Sequence, residues 1–473
     1  MPELTRRPGA ARRGHEPSRL APPHAWNEAR GAASSLSVLR GVLADPAGRA
    51  WRRVVDAVAG ASTDLAAVAA AYARLFSLLA REVEFCTGPL VGDAWQHHLL
   101  SRLLDDENPF SLKAERVGWD AIGPALIAQT RADLAAVERC YRLTGTALAS
   151  TVSRIAGLAA TPWDEFRPLA GESSTAERLA VMRRFHGERG WDRLARELAA
   201  YFATHGAGMF GRFRAFRWTR ASGHGRLEGI THVDPIRLDD LIGYELERQP
   251  VLENTRQFVA GAPANNVLLY GDRGTGKSST VKALLNEFGD HGLRVIEIAK
   301  EQLADYPEIL EVVRGRRERF VLFVDDLSFE EHETQYKALK AVLEGGVEAR
   351  AENVVLYATS NRRHLLAERF ADRRRSSLED DVHPEDAAQE KLSLADRFGV
   401  HAPFLIPSQD RYLDIVAGLA ARYDLRLRAG ELRRRALVWS QWHNGLSCRT
   451  ARQFIDALRG EVLLEKRTRG RGG

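Results

Sequence analysis

Eight residues constrain this chain more than any others. Gly271-Asp272-Arg273-Gly274-Thr275-Gly276-Lys277-Ser278 matches G-x-x-x-x-G-K-[ST] in full. An apolar run, Val267-Leu-Leu-Tyr270, stands directly before it, and Val281, Leu284, Leu285 and Phe288 follow at helical spacing. Strand, glycine loop and helix in that order is the context in which this string cradles phosphate instead of merely turning a corner. The glycines let the backbone wrap an anion and aim several N–H groups at it, and the helix N-terminus adds partial positive charge. In such a loop Lys277 reaches the β- and γ-phosphates, the Ser278 hydroxyl ligates Mg2+, and the backbone from Gly271 through Ser279 forms the cradle.

About 50 residues further on, Arg319-Phe-Val-Leu-Phe-Val-Asp325-Asp326 reads as a buried strand ending in two carboxylates. An apolar strand needs no acid at its tip for stability, so the pair points to Mg2+ chemistry. Asp325 is expected to hold the metal through water, and Asp326 to orient an attacking water. Asp326 is about one methylene shorter than the glutamate many such sites carry, so hydrolysis is expected to be slow, and Glu330, at the start of the next helix, is the spare base. Plain helix N-cap acids are the competing reading. A further apolar strand ends in Asn361, a candidate to hydrogen-bond the γ-phosphate or the attacking water; a turn asparagine is the alternative. Arg397 lies just before the last strand and can reach a neighbouring subunit's nucleotide. Arg449, at the start of the last long helix, can contact phosphate from a lid, with Arg452 as the alternate. With 68 Lys and Arg in the chain, most arginines are simply solvated, and that is the reading these three compete with.

Five apolar strand candidates, 266–271, 294–299, 319–325, 354–359 and 403–406, alternate with helical stretches, the signature of a parallel sheet covered on both faces. Six segments result: a basic disordered tail over 1–35, an all-helical domain over 36–205, an aromatic and basic connector over 206–235, the α/β domain over 236–408, a helical lid over 409–465 and a basic tail over 466–473. Within the connector, aromatics interleave with Arg212, Arg214 and Arg217. That pattern suits either nucleic acid, with arginine on phosphate and aromatics on bases, or a half-buried strand. Trp439 and Trp442, three apart on a helix, are expected in the lid core. The net charge of +5 permits an acidic partner without demanding one. No apolar run is long enough to span a membrane. Cys86, Cys140 and Cys448 are too far apart for a metal-ligand pattern, and a reducing, cytoplasmic setting is expected.

These elements occur in the order expected of AAA+ ATPases, and the stretch from about 235 to 465 resembles that superfamily. Leu241-Ile242-Gly243-Tyr244 is similar to the segment that packs on adenine as the chain enters the domain, which assigns Ile242 and Gly243 to nucleotide binding. More narrowly, Gly-Asp-Arg-Gly-Thr-Gly-Lys-Ser-Ser, Val-Asp-Asp-Leu-Ser-Phe-Glu, Ala-Thr-Ser-Asn-Arg-Arg-His-Leu and Arg-Thr-Ala-Arg-Gln-Phe resemble a bacterial family of predicted ATPases classed as a domain of unknown function. The resemblance implies a P-loop NTPase sheet of order 5-1-4-3-2, a helical lid, ATP and Mg2+ as ligands, and homo-oligomeric rings, with a hexamer as candidate size. It also implies the roles given above to Lys277, Ser278, Asp325, Asn361, Arg397 and Arg449. Two departures matter: Asp-Asp replaces Asp-Glu, and no aromatic–apolar–Gly pore loop stands between Ala299 and Arg319, which weakens a protein-threading role. The expected function is a hydrolysing ATPase that remodels a macromolecular partner, its client unnamed and nucleic acid among the candidates. The alternative is a slow nucleotide-dependent switch or scaffold acting through protein partners. A metabolic kinase is a third reading, and it lacks a small-substrate lid.

Overall fold

Asp45 illustrates how the first half of the chain builds helices. Its carboxylate accepts hydrogen bonds from the N–H groups of Ala47 and Gly48, and Pro46 presets the first turn of the helix Pro46–Ala59. Trp51, Val54, Val55 and Val58 then recur at i, i+3, i+4 and i+7 and are all buried. Trp51 stacks on Trp95 with ring centroids 4.8 Å apart. Burying a large apolar side chain of this kind contributes roughly 2–3 kcal/mol.

The computed structural model describes residues 23–60, 64–170, 176–221, 223–328, 335–344, 351–361, 397–443 and 445–469. The chain divides into two compact units, Met1–Arg212 and Phe213–Gly473. The described residues of the first unit fold into helices around one apolar core, with a single isolated bridge between Thr87 and Leu169. The expected tail over 1–35 is too long. Residues Pro23–Ser35 form a helix whose Trp26, Ala29, Ala32 and Ala33 enter that core, a spacing obscured in the sequence by its small residues.

Among the described residues, the second unit has seven strands: β1 Ala215–Ala221, β2 His224–Gly229, β3 Val267–Gly271, β4 Leu293–Glu297, β5 Arg319–Val324, β6 Val354–Ser360 and β7 Val400–Phe404. Their order is β2-β1-β4-β5-β6-β3-β7. The five strands read from the sequence run β7-β3-β6-β5-β4, all parallel, which is the order 5-1-4-3-2. The full sheet differs from that expectation by two strands. β1 pairs parallel with β4, and β2 antiparallel with β1, so the segment taken for a connector widens the sheet. Phe216 and Trp218 are buried, and the Trp218 indole donates to Asp305 at 2.9 Å. Arg217 pairs with Glu297 at 2.9 Å, and Arg220 with Asp305 and Glu308 at 3.0 and 2.9 Å. The near-alternation of the segment is therefore that of a half-buried strand, with its aromatics in the core and these arginines already matched to acids.

Three helices, Gln409–Arg422, Ala429–Trp442 and Cys448–Arg469, complete the unit, so the last helix extends past the expected lid boundary at 465. Tyr412, Ile415, Leu419, Phe454, Ile455 and Leu458 lie in the core of this unit. Trp439 packs against that core, whereas Trp442 is 80% exposed: it is the last residue of its helix, beyond the cover of its neighbours. Among the described residues, no helix is long and apolar enough to cross a membrane. Because β3, β5 and β6 are parallel and adjacent, their C-terminal tips open on one edge of the sheet, where ligands of open α/β sheets bind.

Candidate functional site

The glycine loop after β3 is held from beneath by β7. Gly271 has φ 132°, and a Cβ there would lie 2.1 Å from the Phe404 carbonyl oxygen, so only glycine fits. The Asp272 N–H donates to that carbonyl at 2.9 Å, and the Asp272 carboxylate accepts from the Ile406 N–H at 2.9 Å. Asp272 thus fastens the loop to the passage that leads into the lid. The helix Lys277–Phe288 starts at the loop's end, aiming its free N–H groups into the same space.

Lys277 and the strand tips form one connected set of hydrogen bonds. The Lys277 ammonium donates to the carbonyls of Gly271 and Asp272, at 2.9 and 2.7 Å, and to Asn361 Oδ1 at 3.2 Å. Burial pushes its pKa below the usual lysine value, against the pull of Asp272, Asp326 and Asp325. Asn361 Nδ2 donates to Asp326 Oδ1. The Asp326 N–H donates to Thr359 Oγ1 at 2.9 Å, and Thr359 Oγ1 donates to Asp325 Oδ1 at 2.5 Å. Ser278 Oγ donates to the same Asp325 oxygen at 2.6 Å. Asp326 sits at φ 54°, in the left-handed region that non-glycine residues enter at a cost.

These groups line a cleft of about 730 Å³. Its apolar wall includes Leu241, Ile242, Ile415 and Leu419, and its basic side includes Arg273, Lys282, Arg449 and Arg452. Arg248 donates to the carbonyls of Leu241, at 2.7 Å, and Gly243, which fixes the wall's main chain. Tyr244 stacks on Phe404 with centroids 5.3 Å apart and lies under the Arg411 guanidinium at 4.0 Å. The lid touches the glycine loop directly. The Arg449 N–H donates to the Gly274 carbonyl at 3.0 Å, and the Cys448 thiol to the Thr275 carbonyl at 3.4 Å. Burial pushes that thiol up to about 11, so it is protonated at neutral pH. Arg452 donates to the Tyr423 hydroxyl at 2.7 Å.

A family match covers residues 211–462, more than half of the 473-residue chain, and the matched family is described as "Protein of unknown function (DUF815)". The chain belongs to this family. DUF815 thus takes in the whole of the sheet, the glycine loop and most of the lid. Comparison with curated proteins returned no match. Among solved structures, two single-substitution variants of RuvB from Thermotoga maritima are 16% and 18% identical, each covering 50% of this chain and 67% and 68% of theirs, with a TM-score of 0.35. A structure of the same protein described as a Holliday junction branch migration motor is 15% identical over 48% of this chain and 72% of its own, with a TM-score of 0.29. So partial an overlap carries no functional weight.

Of the candidate residues, Ile242, Gly243, Arg273, Gly274, Thr275, Gly276, Lys277, Ser278, Ser279, Asp325, Asp326, Asn361 and Arg449 line the cleft in this DUF815 member. Gly271 and Asp272 lie behind it and hold Lys277 through their carbonyls. Arg397 is half-buried just before β7 and is not part of the cleft lining. Glu330 lies outside the described residues. Thr359, on β6 just before Asn361, also lines the cleft and carries no local signal of its own in the sequence. Arg248 carried no signal, because its role is to bind carbonyls of a loop that only the fold brings near.

Proposed function

We propose that the cleft binds ATP with Mg2+ and hydrolyses it, and that the chain couples nucleotide state to a change in a macromolecular partner. The observation that carries this reading is the unbroken hydrogen-bonded path from Ser278 through Asp325, Thr359, Asp326 and Asn361 to Lys277 along one wall of the cleft. Phosphates fit beside the glycine loop, where backbone N–H groups and Lys277 converge. The hard oxygens of Ser278 and Asp325, 2.6 Å apart, suit Mg2+, which needs only one or two protein ligands beside phosphate and water. Mg2+ supplies charge neutralisation on the transferring phosphoryl group when bound. Asp326 orients the attacking water, Asn361 hydrogen-bonds it or the γ-phosphate, and Arg449 contacts the phosphates from the lid. Ile242 and Gly243 pack on the base. Arg397 is assigned to the nucleotide of a neighbouring subunit in a homo-oligomer.

A slow switch is favoured over a fast motor by one observation: Asp326 is short, is held at a left-handed φ and is already bonded to Asn361. The test is steady-state ATP hydrolysis by the purified full chain, alone and with single-stranded DNA, duplex DNA or RNA. Slow, unstimulated turnover with tight ATP binding fits the switch. Stimulation by a nucleic acid fits a remodeller of that polymer. Absence of both binding and hydrolysis overturns the proposal.

A further inference from the structure

The Asp325–Asp326 pair does not hold its own shape. Both carboxylates follow β5, and Asp326 stands at φ 54°, a conformation that the surroundings must enforce. The group that meets both residues is the hydroxyl of Thr359, from the tip of the adjacent strand β6. Thr359 is 1% exposed. Its Oγ1 accepts the Asp326 N–H at 2.9 Å and lies 2.5 Å from Asp325 Oδ1. The direction of the second bond follows from valence. A hydroxyl has one proton to give, and an ionised carboxylate can only accept, so Thr359 donates to Asp325. Its main chain adds to the clamp, because the Leu327 N–H donates to the Thr359 carbonyl at 2.7 Å.

We infer that Thr359 is a positioning residue. Its buried hydroxyl sets the orientation of the Asp325 carboxylate toward the Mg2+ site and locks the peptide that aims Asp326 into the cleft. The inference rests on the proposed ATPase reading and deepens it. Asp325 Oδ1 accepts two hydrogen bonds, one from Ser278 on the glycine loop and one from Thr359 on β6. Ser278 belongs to the phosphate cradle, so its hydroxyl is the one drawn toward metal and phosphate. Thr359 is the partner that stays. Charge-assisted bonds of this kind contribute about 1.5–3 kcal/mol each, which is about tenfold or more in an equilibrium or a rate. A structural threonine would earn its place through its methyl group and leave the metal dependence untouched.

The experiment compares the wild-type full chain with Thr359→Val, Thr359→Ala and Thr359→Ser. Binding of a fluorescent ATP analogue is titrated against Mg2+, beside kcat and KM for ATP and thermal unfolding. Valine keeps the branched shape and removes the hydroxyl, alanine removes the hydroxyl and the methyl together, and serine keeps the hydroxyl and removes only the methyl. The expected result is a rise of about tenfold in half-saturating Mg2+ and a fall of about tenfold in kcat for valine and alanine. Analogue binding without Mg2+ should stay near wild type, and serine should restore both values to within about threefold. If valine prevents folding, the alanine–serine pair decides the matter. Wild-type Mg2+ dependence and kcat in the hydroxyl-free variants would overturn the inference, as would a serine variant as impaired as valine. A wild-type chain that binds no nucleotide would overturn the ATPase reading, and this inference with it. A wild-type chain that binds and hydrolyses ATP beside an unaffected valine variant would sink this inference alone.

Discussion

Both units hold carboxylates in hydrogen-bond networks, but to different ends: those of the first unit are buried or half-buried, whereas Asp325 and Asp326 of the second are exposed. In the first unit they close the chain on itself. Asp133, 1% exposed, accepts from the N–H groups of Ser37 and Leu39 at 3.0 and 2.9 Å and from Gln129 at 2.8 Å. Glu138 receives the N–H groups of Gly190 and Trp191 at 3.1 and 3.0 Å, and Glu115 that of Ala207 at 2.8 Å. Each of these acids pins a segment distant in sequence, and the donors they meet include the backbone of buried Leu39, Trp191 and Ala207. In the second unit, Asp325 and Asp326 stand at the tip of a strand, beside a lysine and over a cleft. They are organised by hydroxyl and amide side chains of other elements. A carboxylate surrounded by backbone donors is a structural fastener. One surrounded by exchangeable side-chain donors at an open edge is available for a ligand.

The sharpest way to break this contrast is to neutralise one acid of each kind. Asp326→Asn should retain ATP binding and lower steady-state hydrolysis by about a hundredfold. Hydrolysis at the wild-type rate would remove Asp326 from the chemistry. Asp133→Ala should do the reverse, destabilising the first unit by about 2–4 kcal/mol while leaving ATP binding intact. Hydrogen exchange read peptide by peptide would locate that loss, and faster exchange at the glycine loop would blur the distinction.

A smaller effect concerns His98 in the first unit, which lies between Glu82 at 2.7 Å and Asp45 at 3.4 Å. Burial disfavours its charge, but the two carboxylates outweigh that and raise its pKa from 6.5 to about 9. The folded value lies above the unfolded one, so the stabilisation is fully present below about pH 6.5 and is lost as pH rises through about 9. In that window the stability of the unit should fall by up to about 1.4 kcal/mol per pH unit. His98→Gln should flatten the slope in a denaturant series run from pH 6 to 9.5, and an unchanged slope would contradict the assignment. The smallest effect is expected at β1. Arg217→Ala removes an exposed pair with Glu297, so stability should change by no more than about 1 kcal/mol. RNA or DNA affinity should not change either, and a large loss in a filter-binding assay would return this strand to the nucleic-acid reading.

The site was legible wherever a local string dictates it. The glycine loop, the strand behind it and the acids at 325 and 326 need only spacing and apolar patterning to be found. The five-strand core was legible for the same reason, since buried parallel strands read as uninterrupted apolar runs. What stayed hidden depends on pairing. β1 is amphipathic, and whether its arginines face solvent, phosphate or acids is decided by Glu297, Asp305 and Glu308, far along the chain. Thr359 looks like any strand threonine until β6 is laid beside β5. The helix Pro23–Ser35 was lost because alanine and glycine give almost no periodic contrast, although four of its residues are core.

The most direct test of the central claim is equilibrium binding of ATP, with and without Mg2+, to the full chain and to Lys277→Ala. Lys277 is 6% exposed and donates to three acceptors at the mouth of the glycine loop, so its removal should strip the cleft of its phosphate contact and leave the sheet folded. Tight, Mg2+-dependent binding by the wild type and a loss of at least about a hundredfold in the variant is the predicted result. Equal binding by both chains, or none by the wild type, would contradict the account.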